Sequence, residues 1–315
     1  MTTARLHIDR AGPLTTVQDI GRFGFQRYGV TEGGPMDRTA FTIGQIALGP
    51  SAGGASIEVG LGGISLRCVS GTVPIAISGG NFTVSVNGSG RPSWSVLQLT
   101  PNTELTITPG RWGSWCYIGI AGTVDWPKWL GSRSTLVTLP ATGRQLKSND
   151  ELVIREVHPI RGQERELTVP VFSQPRNPLC LVPGPQERYF NEGALVSLFG
   201  DPYFVTADLT RMAVRLEGPK LSIAARLDMP SEGILRGAIQ VPGSGDPIVL
   251  MADHQTTGGY PKIATMISAD QDAFAQLRPH QPVQFRSVSV DYAVNRARTR
   301  QKALRQYLAS IENSA

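Results

Sequence analysis

Between residues 73 and 107 the chain alternates apolar with polar or small positions: Val73/Ile75/Ile77, Phe82/Val84/Val86, Leu97/Leu99 and Leu105/Ile107. A period of two puts successive side chains on opposite faces of an extended strand, so these runs predict short antiparallel strands. Turn signals such as Asn87-Gly88 and Pro101-Asn102 separate them. The 35 glycines and 23 prolines are dispersed, which fits many tight turns and neither a collagen nor a low-complexity tract. The expected fold class is mainly β, an antiparallel barrel or sandwich with few helices.

Four segments read as helices. One follows Asp37 as N-cap, carries Ala40, Phe41, Ala47 and Leu48, and stops at Gly49-Pro50. A second follows Ser268, with Gln271 at capping-box spacing, buries Phe274 and Leu277, and ends at Pro279. A third is expected within 186–199, entered after Gly184-Pro185. In the last, Val294, Ala297, Leu304, Leu308 and Ile311 fall near helical spacing. Arg296, Arg298, Arg300, Lys302 and Arg305 against Glu312 give that helix most of the net charge of +5. The body is nearly neutral, with no basic stripe and no interleaved aromatics, so a solvated helix or a contact with another protein of a complex is expected there and no nucleic acid.

Composition narrows the class further. No apolar run approaches the roughly 18 residues of a membrane helix, and Met-Thr-Thr-Ala-Arg-Leu-His lacks the apolar core of an export signal. Cys68, Cys116 and Cys180 are far apart and odd in number, which predicts inert core cysteines, no metal centre and a cytoplasmic location. There is no Gly-Lys dipeptide and hence no P-loop, and Gly60-x-Gly62-Gly63 has no helix behind it. Gly49-Pro50-Ser51-Ala52-Gly53 has Gly-x-Ser-x-Gly spacing but closes the helix expected after Asp37, so it is not the strand-to-helix elbow of a hydrolase, and no His-Glu-x-x-His is present. No Met-Lys-Met biotinylation string occurs, so any biotin arrives on another protein.

Chemistry concentrates in residues 237–262, where Ile248, Val249, Leu250 and Met251 read as a buried strand. Directly behind it stand Asp253, His254, Gln255, Thr256, Thr257, Gly258, Gly259 and Tyr260. They offer a carboxylate, an imidazole, an amide, hydroxyls and unhindered backbone, the make-up of a small-molecule site or of a polar turn. Asp253 with His254 is the candidate acid/base pair; the competing role for Asp253 is to cap the Thr256 or Thr257 backbone, with His254 facing solvent. Gln240 and Tyr260 are candidates for binding an amide or carboxylate edge, and Lys262 for an anion. Asp19 and Arg22, three apart in a Gly-rich turn, either lock that loop or present a guanidinium to a carboxylate or phosphate. Ser132 and Arg133, after Gly131, form a candidate anion nest or a simple turn.

The wording of these stretches resembles a known family. Gln-Val-Pro-x-x-Gly-x-Pro-Ile-x-Leu-x-Ala-Asp-x-Gln-Thr-Thr-Gly-Gly-Tyr-Pro, Ala269-Asp270 and Ala275-Gln276-Leu277 are similar to allophanate hydrolase subunit 2, the C subunit of 5-oxoprolinase and the kinase-inhibitor antagonist KipA. Half of the urea carboxylase carboxyltransferase domain belongs to the same family. The resemblance extends over Gly12-Pro13, Thr15-Thr16-Val17-Gln18-Asp19, Gly21-Arg22, Gly24, Gly33-Gly34-Pro35-Met36-Asp37, Gly131-Ser132-Arg133-Ser134-Thr135 and Gly143-Arg144. It continues through Pro183-Gly184-Pro185, Arg211-Met212 and Leu216-Glu217-Gly218. Departures fall at turns: Gly49-Pro50 for Gly-Asn, Ala121-Gly122-Thr123 for Gly-Gly, Ala213 for Gly, and Pro279-His280 for Pro-Gly.

The resemblance implies two cyclophilin-like β-barrel domains, 1–165 and 166–293, followed by the basic helix 294–315. The polar stretch 155–180 reads as the linker. It also implies a subunit of an ATP-dependent 5-oxoprolinase, with a subunit-B-like and a subunit-A-like partner, that hydrolyses 5-oxo-L-proline to L-glutamate. ATP is then bound by the complex. The same family also implies two alternatives: a carboxyltransferase subunit acting on urea or a related amide with carboxybiotin, and a non-enzymatic antagonist of a kinase inhibitor.

Overall fold

The computed structural model describes residues 3–158, 164–224 and 229–313. It is mainly β; the α-helices among the described residues are α1 (Arg38–Ala47), α2 (Glu192–Gly200), α3 (Ser268–Ala275) and α4 (Val290–Asn313). The chain divides into two compact units, one of Met1–Arg22, Gly33–Gln174 and Leu304–Ala315, the other of Phe23–Glu32 and Pro175–Ala303. The division falls at Gln174/Pro175 where the sequence suggests 165/166, because the supposed linker is tied into the first unit. Arg165–Glu166 pairs with Ser95–Leu99, the Leu167 amide donates to Trp94 O, and the Tyr307 hydroxyl donates to Thr168 O. Arg161, Gly162 and Gln163 of that linker lie outside the described residues.

The first unit holds two antiparallel sheets. One runs Thr123–Val124, Glu151–Arg155, Ala4–Ala11, Ile64–Ser70, Glu104–Trp112, Asn81–Val86 and Ser89–Arg91. The other runs Arg165–Glu166, Ser95–Leu99, Val73–Ser78, Cys116–Ala121, Ala52–Val59 and Thr16–Gln18. Leu6, Ile8 and Leu66 from the first pack with Ile57, Ile75 and Ile118 from the second in one core. Each such side chain contributes roughly 1.5–3 kcal/mol by leaving water.

Strand Val73–Ser78 is buried at every position, not every second one. Its second face is covered by α1, whose Ala40 O accepts from Ser78 Oγ at 2.7 Å. Asp37 caps α1 as expected, accepting from the Ala40 amide at 2.8 Å. Gly12 and Gly62 let two chain segments touch: a Cβ on Gly12 would lie 2.3 Å from Gly62 Cα.

The second unit carries a sheet in the order Pro282–Val283, Tyr203–Leu209, Ala213–Glu217, Ile248–Leu250, Ala238–Gln240, Lys262–Met266, Leu179–Pro183 and Phe285–Ser287. Its last pair is parallel. Helix α2 starts at Glu192 on an Asn191 cap, after a separate turn of 3₁₀ helix at Glu187–Tyr189. The capping box expected at Ser268 does not form: Ile267 occupies the N-cap, and Gln271 Nε2 donates to Arg236 O and Met266 O. Helix α4 begins at Val290, four residues before the expected start. His280, where the family pattern has Gly, takes φ 67°, a left-handed conformation that costs a non-glycine residue about 1–2 kcal/mol.

Candidate functional site

In the second unit the strands Ala238–Gln240 and Lys262–Met266 set Gln240 directly opposite Lys262. Glu232–Gly233 pairs with Thr257–Gly258, which puts Glu232 opposite Gly258. Cross-strand partners share a face, so three separated segments deliver polar groups to one place. Gln240 is 2% exposed, and its Nε2 has no hydrogen-bond acceptor among the described residues. Gly258 lies over that amide: a Cβ there would sit 2.7 Å from Gln240 Nε2. With no side chain, Gly258 packs closely over the donor, which stays buried, and a buried amide N–H without an acceptor costs about 1–3 kcal/mol.

Around it, Lys262 Nζ meets Glu232 Oε1 at 2.5 Å. Gln186 accepts from the Lys262 amide at 2.8 Å and donates through Nε2 to Glu232. The Lys262 side chain is 15% exposed and that of Glu232 47%. Gln240, Gly258 and Lys262, each a sequence candidate, therefore come together, joined by Gln186 and Glu232, which sequence reasoning missed. The Pro183-Gly184-Pro185 string just ahead of Gln186 was the available signal; nothing local marks Glu232.

The other candidates of this stretch are placed differently. Asp253 gives both carboxylate oxygens to Arg211, at 2.8 Å to Nε and 2.9 Å to Nη2, with side chains 8% and 3% exposed. His254 is buried and donates from Nδ1 to Gln255 O at 2.6 Å, while its own carbonyl accepts from Thr31 Oγ1 at 2.9 Å. Asp253 thus neither orients the imidazole nor caps the Thr256 or Thr257 backbone, and the side chain it holds is Arg211. The Thr256 carbonyl accepts from the Ile234 amide, Thr257 lies in the two-stranded ladder, and Gly259 is near Ser231. Gln255 and Tyr260 are exposed.

Burial pushes the His254 pKa down, against a smaller upward pull from the Gln255 carbonyl. The folded protein then binds fewer protons at this ring than the unfolded chain, whose imidazole titrates near 6.5. Stability from the neutral ring is complete above that value and falls as pH drops through it. The melting temperature of wild type is expected to decline more from pH 7.5 to pH 5 than that of His254→Gln. Parallel pH profiles for the two proteins would remove His254 from this role.

In the first unit the candidate nest is filled from within. Asp19 Oδ1 accepts from the Gly21 amide at 2.9 Å, Ser132 Oγ at 2.6 Å and Ser134 Oγ at 2.9 Å, and Oδ2 accepts from the Arg133 amide at 2.6 Å. Arg22, 1% exposed, donates to Ser134 O and lies 5.5 Å from the Trp129 ring centroid. The Asp19 and Arg22 turn is therefore clasped to the 132–134 loop from both sides. Gly143-Arg144 has a local reason too. A Cβ on Gly143 would sit 2.5 Å from Trp126 Nε1, and Arg144 is paired at 2.7 and 2.6 Å with Asp150.

A further polar cluster went unread in the sequence. Glu58, 0% exposed, accepts from the Met36 amide and the Tyr117 hydroxyl, both at 2.8 Å, and that hydroxyl accepts from the Asp37 amide at 2.7 Å. Burial, followed by the charges of Glu58 and Asp37, holds Tyr117 protonated. Among the described residues no group of three or more His, Cys, Asp or Glu side chains is arranged to hold a metal ion. No helix of these residues is long and apolar enough to cross a membrane.

The chain is mainly β and gathers Gln186, Glu232 and Lys262 around a strand-borne, buried amide. The chain belongs to the carboxyltransferase domain family, subdomain A and B, whose model matches residues 28–287. It is similar to the C subunit of 5-oxoprolinase from Escherichia coli (strain K12), with 31% identity over 315 residues covering 98% of this chain and 99% of that protein. Urea amidolyase of Lachancea kluyveri is 29% identical over 90% of this chain, which spans 17% of that protein. The crystal structure of the Kluyveromyces lactis urea amidolyase superimposes with a TM-score of 0.83 at 24% identity, over 98% of this chain and 20% of that one. It supports the mainly β fold alone.

Proposed function

We propose that this chain is the C subunit of an ATP-dependent 5-oxoprolinase, a cytoplasmic complex with a subunit-B-like and a subunit-A-like protein that hydrolyses 5-oxo-L-proline to L-glutamate. The observation that supports this reading is the match to a 5-oxoprolinase C subunit at 31% identity over 98% of this chain and 99% of the relative. Water adds to the lactam carbonyl carbon, the ring C–N bond breaks, and the nitrogen leaves as an amine. ATP supplies the activation of the carbonyl, and its binding is assigned to the complex and to no residue of this chain. The contribution of this chain is to bind and orient: Gln240 Nε2 donates to the carbonyl oxygen and stabilises the charge that builds there when water attacks.

A second reading, transfer of a carboxyl group from carboxybiotin to a urea-like nitrogen, is supported by the urea amidolyase relative. Reconstitution separates the two. The lone chain is expected to hydrolyse neither 5-oxoproline, urea nor allophanate, and the co-expressed three-subunit complex to release glutamate and ADP from 5-oxoproline and ATP. A complex that carboxylates urea when given carboxybiotin, with no glutamate formed, would replace the first reading with the second. Robust turnover by the lone chain would overturn the assignment to a multi-protein complex.

A further inference from the structure

Gln240, Lys262, Glu232 and Gly258 together bear on which amides this site accepts. Gln240 Nε2 is a buried donor waiting for an acceptor, and Lys262, its direct cross-strand neighbour, is a cation with little access to water. The anion that holds Lys262 is the more exposed partner of the pair, at 47% against 15%; it also accepts from Gln186 Nε2, and among the described residues its two-residue strand pairs with Thr257–Gly258. Such an asymmetric pair has one member that water can take over. A half-exposed carboxylate loses little on swinging into solvent, whereas the enclosed ammonium requires an anion in its place.

We infer that the site selects amides that also carry a carboxylate: the amide carbonyl oxygen accepts from Gln240 Nε2, and the ligand carboxylate takes Lys262 Nζ by displacing Glu232. Lys262 is then a specificity-determining residue and Glu232 an internal competitor for it. The inference rests on the oxoprolinase reading for its choice of ligand, a lactam with a ring carboxylate. A neutral amide such as urea satisfies Gln240 and leaves the Lys262–Glu232 pair intact, so it gains nothing from the cation.

The test is calorimetric titration of the full chain, alone and in its complex, with three probes: 5-oxo-L-proline, the neutral lactam 2-pyrrolidinone, and L-proline, which has the carboxylate and no ring carbonyl. Wild type is expected to bind 5-oxoproline about tenfold or more tightly than either analogue, the scale of one charge-assisted hydrogen bond. Lys262→Met should bring 5-oxoproline down to the level of the neutral lactam. Glu232→Gln should tighten 5-oxoproline severalfold and leave 2-pyrrolidinone unchanged. Melting temperatures check that each variant folds, and Lys262→Arg, which keeps the charge, should keep the preference.

The inference is overturned by an equal preference for 5-oxoproline over the neutral lactam in wild type and Lys262→Met, or by no binding of 5-oxoproline to chain or complex. Turnover distinguishes this failure from that of the wider reading. A complex that hydrolyses 5-oxoproline with the same preference in Lys262→Met sinks only the specificity claim. Binding that follows Lys262 in a complex without glutamate release sinks only the oxoprolinase assignment.

Discussion

Asp253→Asn is expected to lower the melting temperature of the protein by on the order of 10 °C, through a loss of about 3–5 kcal/mol of stability. The carboxylate and the Arg211 guanidinium form a bidentate pair with side chains 8% and 3% exposed. Replacing one charge by an amide of the same shape leaves the other without its carboxylate in a site that water scarcely reaches. A carboxylate in a solvated loop would change stability by roughly 0.5 kcal/mol or less on the same substitution. The double variant Asp253→Leu with Arg211→Met should recover much of the loss, because removing both charges also removes the desolvation each one requires.

Denaturant midpoints for the single and double variants make the measurement, with turnover of the reconstituted complex recorded beside them and corrected for the folded fraction. A wild-type melt for Asp253→Asn, together with a hundredfold fall in kcat, would return Asp253 to acid/base chemistry. The present geometry gives it the opposite outcome, in which activity follows the folded fraction.

Asp19→Ala should cost about 3 kcal/mol, the second largest effect. Four donors end on this one carboxylate: two backbone amides, of Gly21 and Arg133, and two hydroxyls, of Ser132 and Ser134. Truncation strands them together, and partial access to water limits the loss to less than the sum of four buried orphans. Asp19→Asn should lose less, since one oxygen remains to accept. Hydrogen exchange at the Arg133 and Gly21 amides reports the opening locally, and thermal melts report its cost.

The same experiment weighs the ligand role of this nest. A vacated nest in Asp19→Ala presents convergent N–H and O–H groups, so inorganic sulfate should raise the melting temperature of the variant and leave wild type unmoved. An equal rise in wild type would show that the loop takes an external anion while Asp19 is present.

Several of the uncommon strings that carry the family resemblance turn out to be such clasps. Asp37 caps α1 and its neighbour Met36 donates to Glu58, Asp270 holds Arg176 and the Cys180 amide, and Gly218 leaves room for the Tyr203 ring. Their wording is a record of how the fold is fastened, which explains why it marks the family more sharply than it marks the chemistry.

What this sequence determined by itself is short in range. The two-residue alternation, the Asn87-Gly88 hairpin, the Asp37 cap and the amphipathic last helix each rest on contacts within a turn or a strand, so the local pattern contains the cause. The failure at Ser268 is of the same scale: helix α3 starts one residue early and Gln271 finds the Arg236 and Met266 carbonyls in place of a cap. Gln240, Gly258 and Lys262 were legible as candidates because the strand, loop and next strand that hold them follow one another in the chain.

The partner of each charge was decided only by the tertiary structure. Asp253 looks paired with His254 when read along the chain, yet it meets Arg211, 42 residues away, because Ile248–Leu250 lies beside Ala213–Glu217 in the sheet. Asp19 meets Ser132 across 113 residues, and Glu232 and Gln186 reach Lys262 from segments with no mark of their own. Strand order and register set which side chains share a face, and in a low-dielectric interior a charge settles on the counter-group that register brings within reach.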